Sequence, residues 1–284
     1  GRELDYLGLH ISVRESGIEL SQRAMVAKLI GDVKGTANSP AATLESEESL
    51  SDSDVKKLDV GLDQDRAAMY RSVTAVALYL SKRTRPDLLL AVNRLCRHAN
   101  IPTERDWKAL QRVLRYVSKT RNHVLLMPAN GIDIEAYIDA SFATNADRKS
   151  TTGAVVMVGG AIVWAKSGKQ GIITKSSFEA ELVALSDMSS MVLWISLFMA
   201  DLGLSANTPI VYQDNQSTMQ VAEKGLTNNP STKHIDIRYL WIKEVLEHER
   251  LVLKYKKTDE MIADGLTKPL VGESFYKFVD SLNL

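Results

Sequence analysis

The sequence predicts an α/β protein: a five-stranded sheet with flanking helices in the second half, preceded by a smaller, mainly helical region that opens on a β-hairpin. Three observations carry this. Apolar and polar residues alternate over residues 132–142, and two more strand-like runs follow closely; one long stripe at helical spacing runs from Phe178 to Met199; and three helical patterns lie between residues 66 and 118. A chain of 284 residues has room for roughly two domains, and we place them at residues 1–130 and 131–284. With 45% hydrophobic and 25% charged residues, disorder throughout is excluded.

The elements follow in order. Residues 6–20 give two apolar runs separated by Arg14-Glu15-Ser16-Gly17, and Gly17 can take a positive φ, so a hairpin is expected. A short helix is expected over residues 21–30 with Ser21 as its N-cap. Residues 33–65, containing SPAATLESEESLSDSD, read as an exposed acidic connector, partly helical near residues 51–58. Helices are expected over residues 66–82, over 86–98 with Pro86 in the first turn, and over 103–118, where Trp107, Leu110, Val113, Leu114 and Val117 share a face.

In the second half, Ile132, Ile134, Ala136 and Ile138 alternate with Asp133, Glu135, Tyr137 and Asp139, and residues 152–158 and 161–165 complete a meander through Gly159-Gly160. The helix over residues 176–201 carries Phe178, Leu182, Leu185, Met188, Val192, Ile195 and Met199 on one stripe, which must lie on the sheet. Strand, short helix (residues 216–224), helix, strand and helix complete the order.

Composition narrows the function. Formal net charge is zero, so contact with a polyanion must come from local basic patches. The single cysteine, Cys96, excludes an intramolecular disulfide and a cysteine-rich zinc site. No apolar run is expected to reach the ~18 residues that span a bilayer, and no signal-like segment opens the chain, so a soluble, intracellular protein without a membrane partner is expected. The chain starts at Gly1 without an initiator methionine, as a piece of a longer protein would.

Two constellations carry chemistry. Arg83, Arg85, Arg94, Arg97, Lys108, Arg112, Arg115, Lys119 and Arg121 face only Asp87, Glu104 and Asp106 in the helical region. They form either a solvated face or a stripe that tracks a phosphate backbone. The second is a set of four carboxylates: Asp139 in AYIDAS, Glu181 in SSFEAELVAL, Asp214 in VYQDNQS and Asp264 in EMIADGLTK, in strand, helix, strand-end and helix contexts. Taken singly, each reads as a turn, cap or surface acid. Helix geometry favours Glu181 over its neighbour: it falls about 60° from the line of Phe178, beside the buried stripe, whereas Glu179 is expected to face solvent. Brought together, four acids repel one another unless a cation joins them, and divalent metals at such clusters are the usual means of cutting phosphodiesters.

Five blocks in order, YIDASFATNADRKSTTGAVVMVGGAIVWAKSGKQ, SSFEAELVALS, YQDNQSTMQVAE, STKHIDIRYLWIKE and KKTDEMIADGLTKPL, resemble the RNase H domain of copia-type LTR retrotransposon Pol polyproteins. Upstream, YLGLHI resembles the primer-grip hairpin of the same reverse transcriptase, and residues 69–119 resemble its thumb and connection region, so the resemblance covers essentially the whole chain. It implies an RNase H-like mixed five-stranded sheet and hydrolysis of the RNA strand of an RNA–DNA hybrid. Asp139, Glu181, Asp214 and Asp264 match the metal-binding acids, and two Mg²⁺ ions, with Mn²⁺ as a substitute, are implied cofactors. Asp139 is expected to bridge both ions, Glu181 and Asp214 to complete one site and Asp264 the other. Ser141, Ser177, Asn215 and Gln216 are expected to meet 2′-hydroxyls, and Arg94, Arg97, Arg112 and Arg115 the nucleic-acid backbone. The remaining fingers and palm of the reverse transcriptase are implied partners, and a cytoplasmic virus-like particle with nuclear entry is the implied location.

The chain departs from the wider pattern in two places. The loop before the last acid is Lys256-Lys257-Thr258 and lacks the histidine that many RNase H enzymes carry; His234, in TKHIDIR, is the auxiliary candidate. No paired-aspartate polymerase signature is present, so this stretch is expected not to polymerise. The alternative reading is a noncatalytic nucleic-acid-binding or scaffold remnant; an integrase-like enzyme fits less well.

Overall fold

The computed structural model describes residues 1–31, 60–204, 206–224 and 233–284. They divide into two compact units, Gly1–Pro128 with Pro269–Leu284, and Ala129–Lys268.

The first unit starts with β1 (Arg2–Tyr6), β2 (Leu9–Arg14) and β3 (Gly17–Ser21), continues through α1 (Arg23–Gly31), α2 (Gln64–Ser81), a 3₁₀ turn (Pro86–Leu88), α3 (Leu89–Arg97) and α4 (Glu104–Lys119), and returns to its sheet at β4 (Leu125–Pro128). All sheet pairings are antiparallel in the order β1-β2-β3-β4. The expected hairpin is β2–β3. Gly17, at φ 137°, lies where an added Cβ would stand 2.2 Å from the Met127 carbonyl oxygen of β4. Ser21 ends β3 rather than capping α1. Asp63 caps α2, its side chain accepting from Arg66 N–H, and Thr103 with Asp106 forms a capping box on α4. Pro86 opens a 3₁₀ turn, not the α-helix itself. Of the expected acidic connector, the helix near residues 51–58 lies outside the described residues.

The second unit holds β5 (Ile134–Ser141), β6 (Thr151–Val158), β7 (Ala161–Lys169), α5 (Ser177–Asp201), β8 (Ile210–Gln213), α6 (Gln216–Lys224), α7 (Lys233–Glu247) and β9 (Val252–Tyr255). The sheet order is β7-β6-β5-β8-β9, antiparallel from β7 to β5 and parallel from β5 to β9. This is the mixed five-stranded sheet with flanking helices that the resemblance implies. Ile134, Ala136 and Ile138 of β5 meet Leu182, Leu185, Met188 and Val192 of α5 in the core, joined by Val211, Ile242 and Val245. The opposite face is covered as well: a 3₁₀ turn, Ile262–Leu266, packs on β5 and β6. Tyr137 and Asp139 are therefore buried although they sit on the polar phase of the alternation.

Ser177–Asp201 is also long and apolar enough to cross a membrane by length and composition, with an 18-residue window of mean hydropathy 1.7, against the expectation of no such run. Within this unit 61% of that window is buried, with Leu182, Leu185, Met188 and Val192 in the core, while Trp194, Leu197 and Phe198 are exposed.

The final helix, α8 (Gly272–Ser281), belongs to the first unit and not, as expected, to a second domain running to residue 284. Phe275 packs edge-on against Tyr116 at 5.5 Å, and Leu126 N–H donates to the Asn283 carbonyl at 3.0 Å.

Candidate active site

β5 has an antiparallel neighbour on one side and a parallel one on the other, and a crevice opens at the carboxyl ends of such paired parallel strands. Asp139 lies near the end of β5, and Asp214 follows directly on β8. Glu181 projects from the early turns of α5, whose N-cap Ser176 accepts from Glu179 N–H. Asp264 arrives on the 3₁₀ turn, not on the α-helix expected for it.

That turn can approach because the strand partner of Asp139 is Gly153. A Cβ there would stand 2.6 Å from Thr267 Cγ2, 2.8 Å from the Ala263 carbonyl oxygen and 2.9 Å from Leu266 Cβ. One carboxylate oxygen each from Asp139, Asp214 and Asp264 lies within 4.8 Å of the others. Asp139, Glu181 and Asp214 line a cavity of about 420 Å³, with Asn215, Gln216, Tyr255 and Lys268 also in its wall.

The electrostatics follow from this crowding. Burial first, then Asp139 and Asp214, pushes the Glu181 carboxyl up to about 9, against the opposing Gln213 amide and Ala140 N–H. Burial and then Asp139 push Asp264 up to about 6, against Lys268. Lys268 responds in kind: burial works against its charge, yet Asp139 and Asp264 hold its pKa above the ordinary lysine value. Its ammonium lies 2.7 Å from Asp264 and 3.6 Å from Asp139.

Neutral groups orient the acids. The Thr267 hydroxyl donates to Asp139, and the Thr258 hydroxyl donates to Asp214 at 2.8 Å. Gln213 is fully buried: its Oε1 accepts from the N–H groups of Asp214 (2.8 Å) and Asn215 (3.0 Å), which turns its Nε2 toward Glu181 Oε2 at 3.3 Å. The donors gathered here are all hard carboxylate oxygens, the set that suits Mg²⁺ or Mn²⁺ rather than a thiolate- or imidazole-seeking metal. The residues fit the implied ions.

Not every expected site residue belongs to this cluster. Asn215 and Gln216 line the cavity, and Asn215, not Asp214, caps α6 by accepting from Thr218 N–H at 3.1 Å. Ser141 and Ser177 are outside the cavity lining, Ser177 being exposed at the start of α5. Glu179 does not face solvent: it is buried, and its carboxylate accepts from Lys175 N–H at 2.7 Å. The side chain of His234 lies outside the described residues.

In the first unit Arg94, Arg97, Arg112 and Arg115 are only half-exposed, and the first three already interact with other groups. Arg85 leaves the basic stripe altogether, because it is buried against Asp87. Gln213, Thr258, Thr267 and Lys268 carry no site motif of their own in the sequence. Lys268 alone carried a signal, its position four residues after Asp264.

No family model matches the chain. It is 31% identical over 277 residues to the retrovirus-related Pol polyprotein from transposon RE2 of Arabidopsis thaliana, a match covering 96% of this chain and 18% of that protein. It is 34% identical over 208 residues to the corresponding polyprotein from transposon TNT 1-94 of Nicotiana tabacum, covering 72% and 16%. Among solved structures it is similar to LC11-RNase H1, isolated from compost, at 18% identity and TM-score 0.37, covering 52% of this chain and 98% of that one.

The sheet order and its flanking helices define the second unit as an RNase H-like α/β domain. The chain belongs to the retrovirus-related Pol polyproteins of copia-type transposons, and it spans under a fifth of the length of these relatives.

Proposed function

We propose that the chain acts as a ribonuclease H, hydrolysing the RNA strand of RNA–DNA hybrids during reverse transcription of a transposon. The observation that carries this reading is the convergence of Asp139, Glu181, Asp214 and Asp264 from four separate segments on one crevice. Asp139 would hold both divalent ions, with Glu181 and Asp214 completing one position and Asp264 the other. Bound there, the ions lower the pKa of an attacking water and stabilise charge on the leaving 3′ oxygen.

The chain's own groups do the rest. Thr267, Thr258 and Gln213 fix carboxylate orientation, as hydrogen-bonded partners of metal ligands do. Asn215 and Gln216, at the cavity wall, present polar atoms to a 2′-hydroxyl, and Tyr255 presents a half-exposed ring to nucleic acid. Residues 1–130 would serve as primer grip and thumb/connection, holding the duplex.

The test is cleavage of a labelled RNA–DNA hybrid, with duplex RNA and duplex DNA as controls, across Mg²⁺ and Mn²⁺ concentrations and beside Asp139→Asn. The expected result is cleavage of the hybrid's RNA strand alone, reduced at least about 10³-fold by the substitution, or about 4 kcal/mol of barrier. A wild type that binds hybrid and cuts nothing with either ion gives the place to the binding-scaffold reading.

A further inference from the structure

The acid pocket contains a cation of its own. Lys268 Nζ contacts Asp264 Oδ1 at 2.7 Å and approaches Asp139 Oδ1 at 3.6 Å, while the Asp139 side chain is 2% exposed and that of Lys268 39%. These are the two carboxylates that, on the reading above, share one ion position. The backbone holds the arrangement: Lys268 N–H donates to the Asp264 carbonyl at 2.8 Å, a closing turn that returns the i+4 side chain onto the carboxylate of residue i. Beside it, the Thr267 hydroxyl is tied to Asp139. An ammonium group already on Asp264 and a divalent ion on the same carboxylate would stand a few ångströms apart as like charges, which is strongly unfavourable even with water screening.

We propose that Lys268 is the internal counter-cation of the Asp139–Asp264 side of the pocket, so that a divalent ion loads there by exchange with the ammonium group. The proposal rests on the metal reading of the four acids and adds a residue that positions the carboxylates before the ion arrives. Without an ion, Lys268 keeps the acids from driving the 3₁₀ turn off the sheet. Its half-exposed stem gives the displaced ammonium a way out toward solvent.

The test is calorimetric titration of the whole chain with Mg²⁺ alone, without nucleic acid, for the wild type, Lys268→Met and Lys268→Arg, with thermal melts in chelator alongside. Lys268→Met is expected to bind Mg²⁺ at least about tenfold more tightly, because a like charge is removed from beside the ion. It is also expected to melt lower in chelator and to recover when Mg²⁺ is added. Lys268→Arg, whose guanidinium forks onto a carboxylate and is harder to displace, is expected to bind Mg²⁺ severalfold more weakly than the wild type.

Mg²⁺ affinity in Lys268→Met equal to or weaker than wild type overturns the exchange. Should Lys268→Met not fold even with Mg²⁺, an unchanged affinity in Lys268→Arg overturns it equally. Hybrid cleavage with unchanged ion affinity in both variants removes this proposal alone; normal exchange with uncut hybrid removes the nuclease reading alone; no uptake of Mg²⁺ by any of the three proteins overturns both.

Discussion

Each unit buries charge, and the two do it in opposite ways. In the first, Arg85 and Asp87 meet inside the helical region with side chains 2% and 0% exposed. The guanidinium donates to both Asp87 oxygens and to the backbone and hydroxyl oxygens of Thr120, while the Tyr116 hydroxyl donates to Asp87 at 2.9 Å. One positive charge meets one negative charge, and the remaining donors and acceptors are occupied by neutral partners. In the second unit four carboxylates gather around one crevice, the Lys268 ammonium meets two of them, and burial together with the neighbouring acids raises Glu181 and Asp264. A closed pair of buried charges stabilises a single packing; an unbalanced cluster stores a demand for a further cation. The balance of charge, more than burial, separates the structural site from the candidate active site.

The largest effect should come from opening the closed pair. Asp87→Ala strands Arg85 in the interior and is expected to destabilise the protein by about 3–5 kcal/mol, read from urea unfolding. A loss near that of a surface mutation would remove the contrast. Next, Gly153→Ala places a methyl group against Thr267, Ala263 and Leu266. Overpacking of about 1–3 kcal/mol is expected, and because the strain falls on the turn that carries Asp264, hybrid cleavage should drop more than hybrid binding. Equal losses in the two assays would mean that the turn does not set the site.

Smaller again, Gln213→Leu removes the amide that links Glu181 to the start of α6. A loss of about 10–100-fold in Mg²⁺ affinity or cleavage is expected, as for other partners of metal ligands.

The mildest probe is pH in the absence of divalent ions. Glu181 is raised from an ordinary value of 4.5 to about 9 in the folded protein, and Asp264 from 3.8 to about 6, so the folded state holds these protons more tightly than the unfolded one. Their contribution is fully present below the unfolded values and is lost as pH rises through the folded ones. The metal-free melting temperature should therefore fall between about pH 4 and pH 9 on account of these groups, and Glu181→Gln should flatten the upper part of that fall. Saturating Mg²⁺ should oppose it, since an ion that binds the deprotonated acids favours the folded state. A Glu181→Gln protein with the wild-type slope would show that the carboxyl is not held as described.

Much of the second unit was legible because its signals are local. Alternation over residues 132–142, the stripe on residues 176–201 and the Gly159-Gly160 turn each specify an element within one window, and the structure has β5, α5 and the β6–β7 hairpin there. The first unit's sheet was half hidden. β1 is a short, wholly exposed edge whose alternation is limited to Leu4 and Tyr6, and β4 pairs with β3 across about a hundred residues, so neither has a strong local signature. Helical phase counts only one buried face and so points Glu179 to solvent, whereas α5 begins beneath its own N-cap loop, which donates to that carboxylate.

The sequence by itself determined which acids are present, their order and the strand and helix that bear Asp139 and Glu181, since those depend on residue type and short-range period. Only the tertiary structure decided that Asp264 reaches Asp139 through the space left by Gly153, that Gln213 and two threonine hydroxyls hold the acids, that Lys268 supplies their counter-charge, and that residues 269–284 join the first unit. Each of these depends on groups far apart in the chain meeting across packed surfaces, where distance, desolvation and net charge are set jointly by all the elements that close around them.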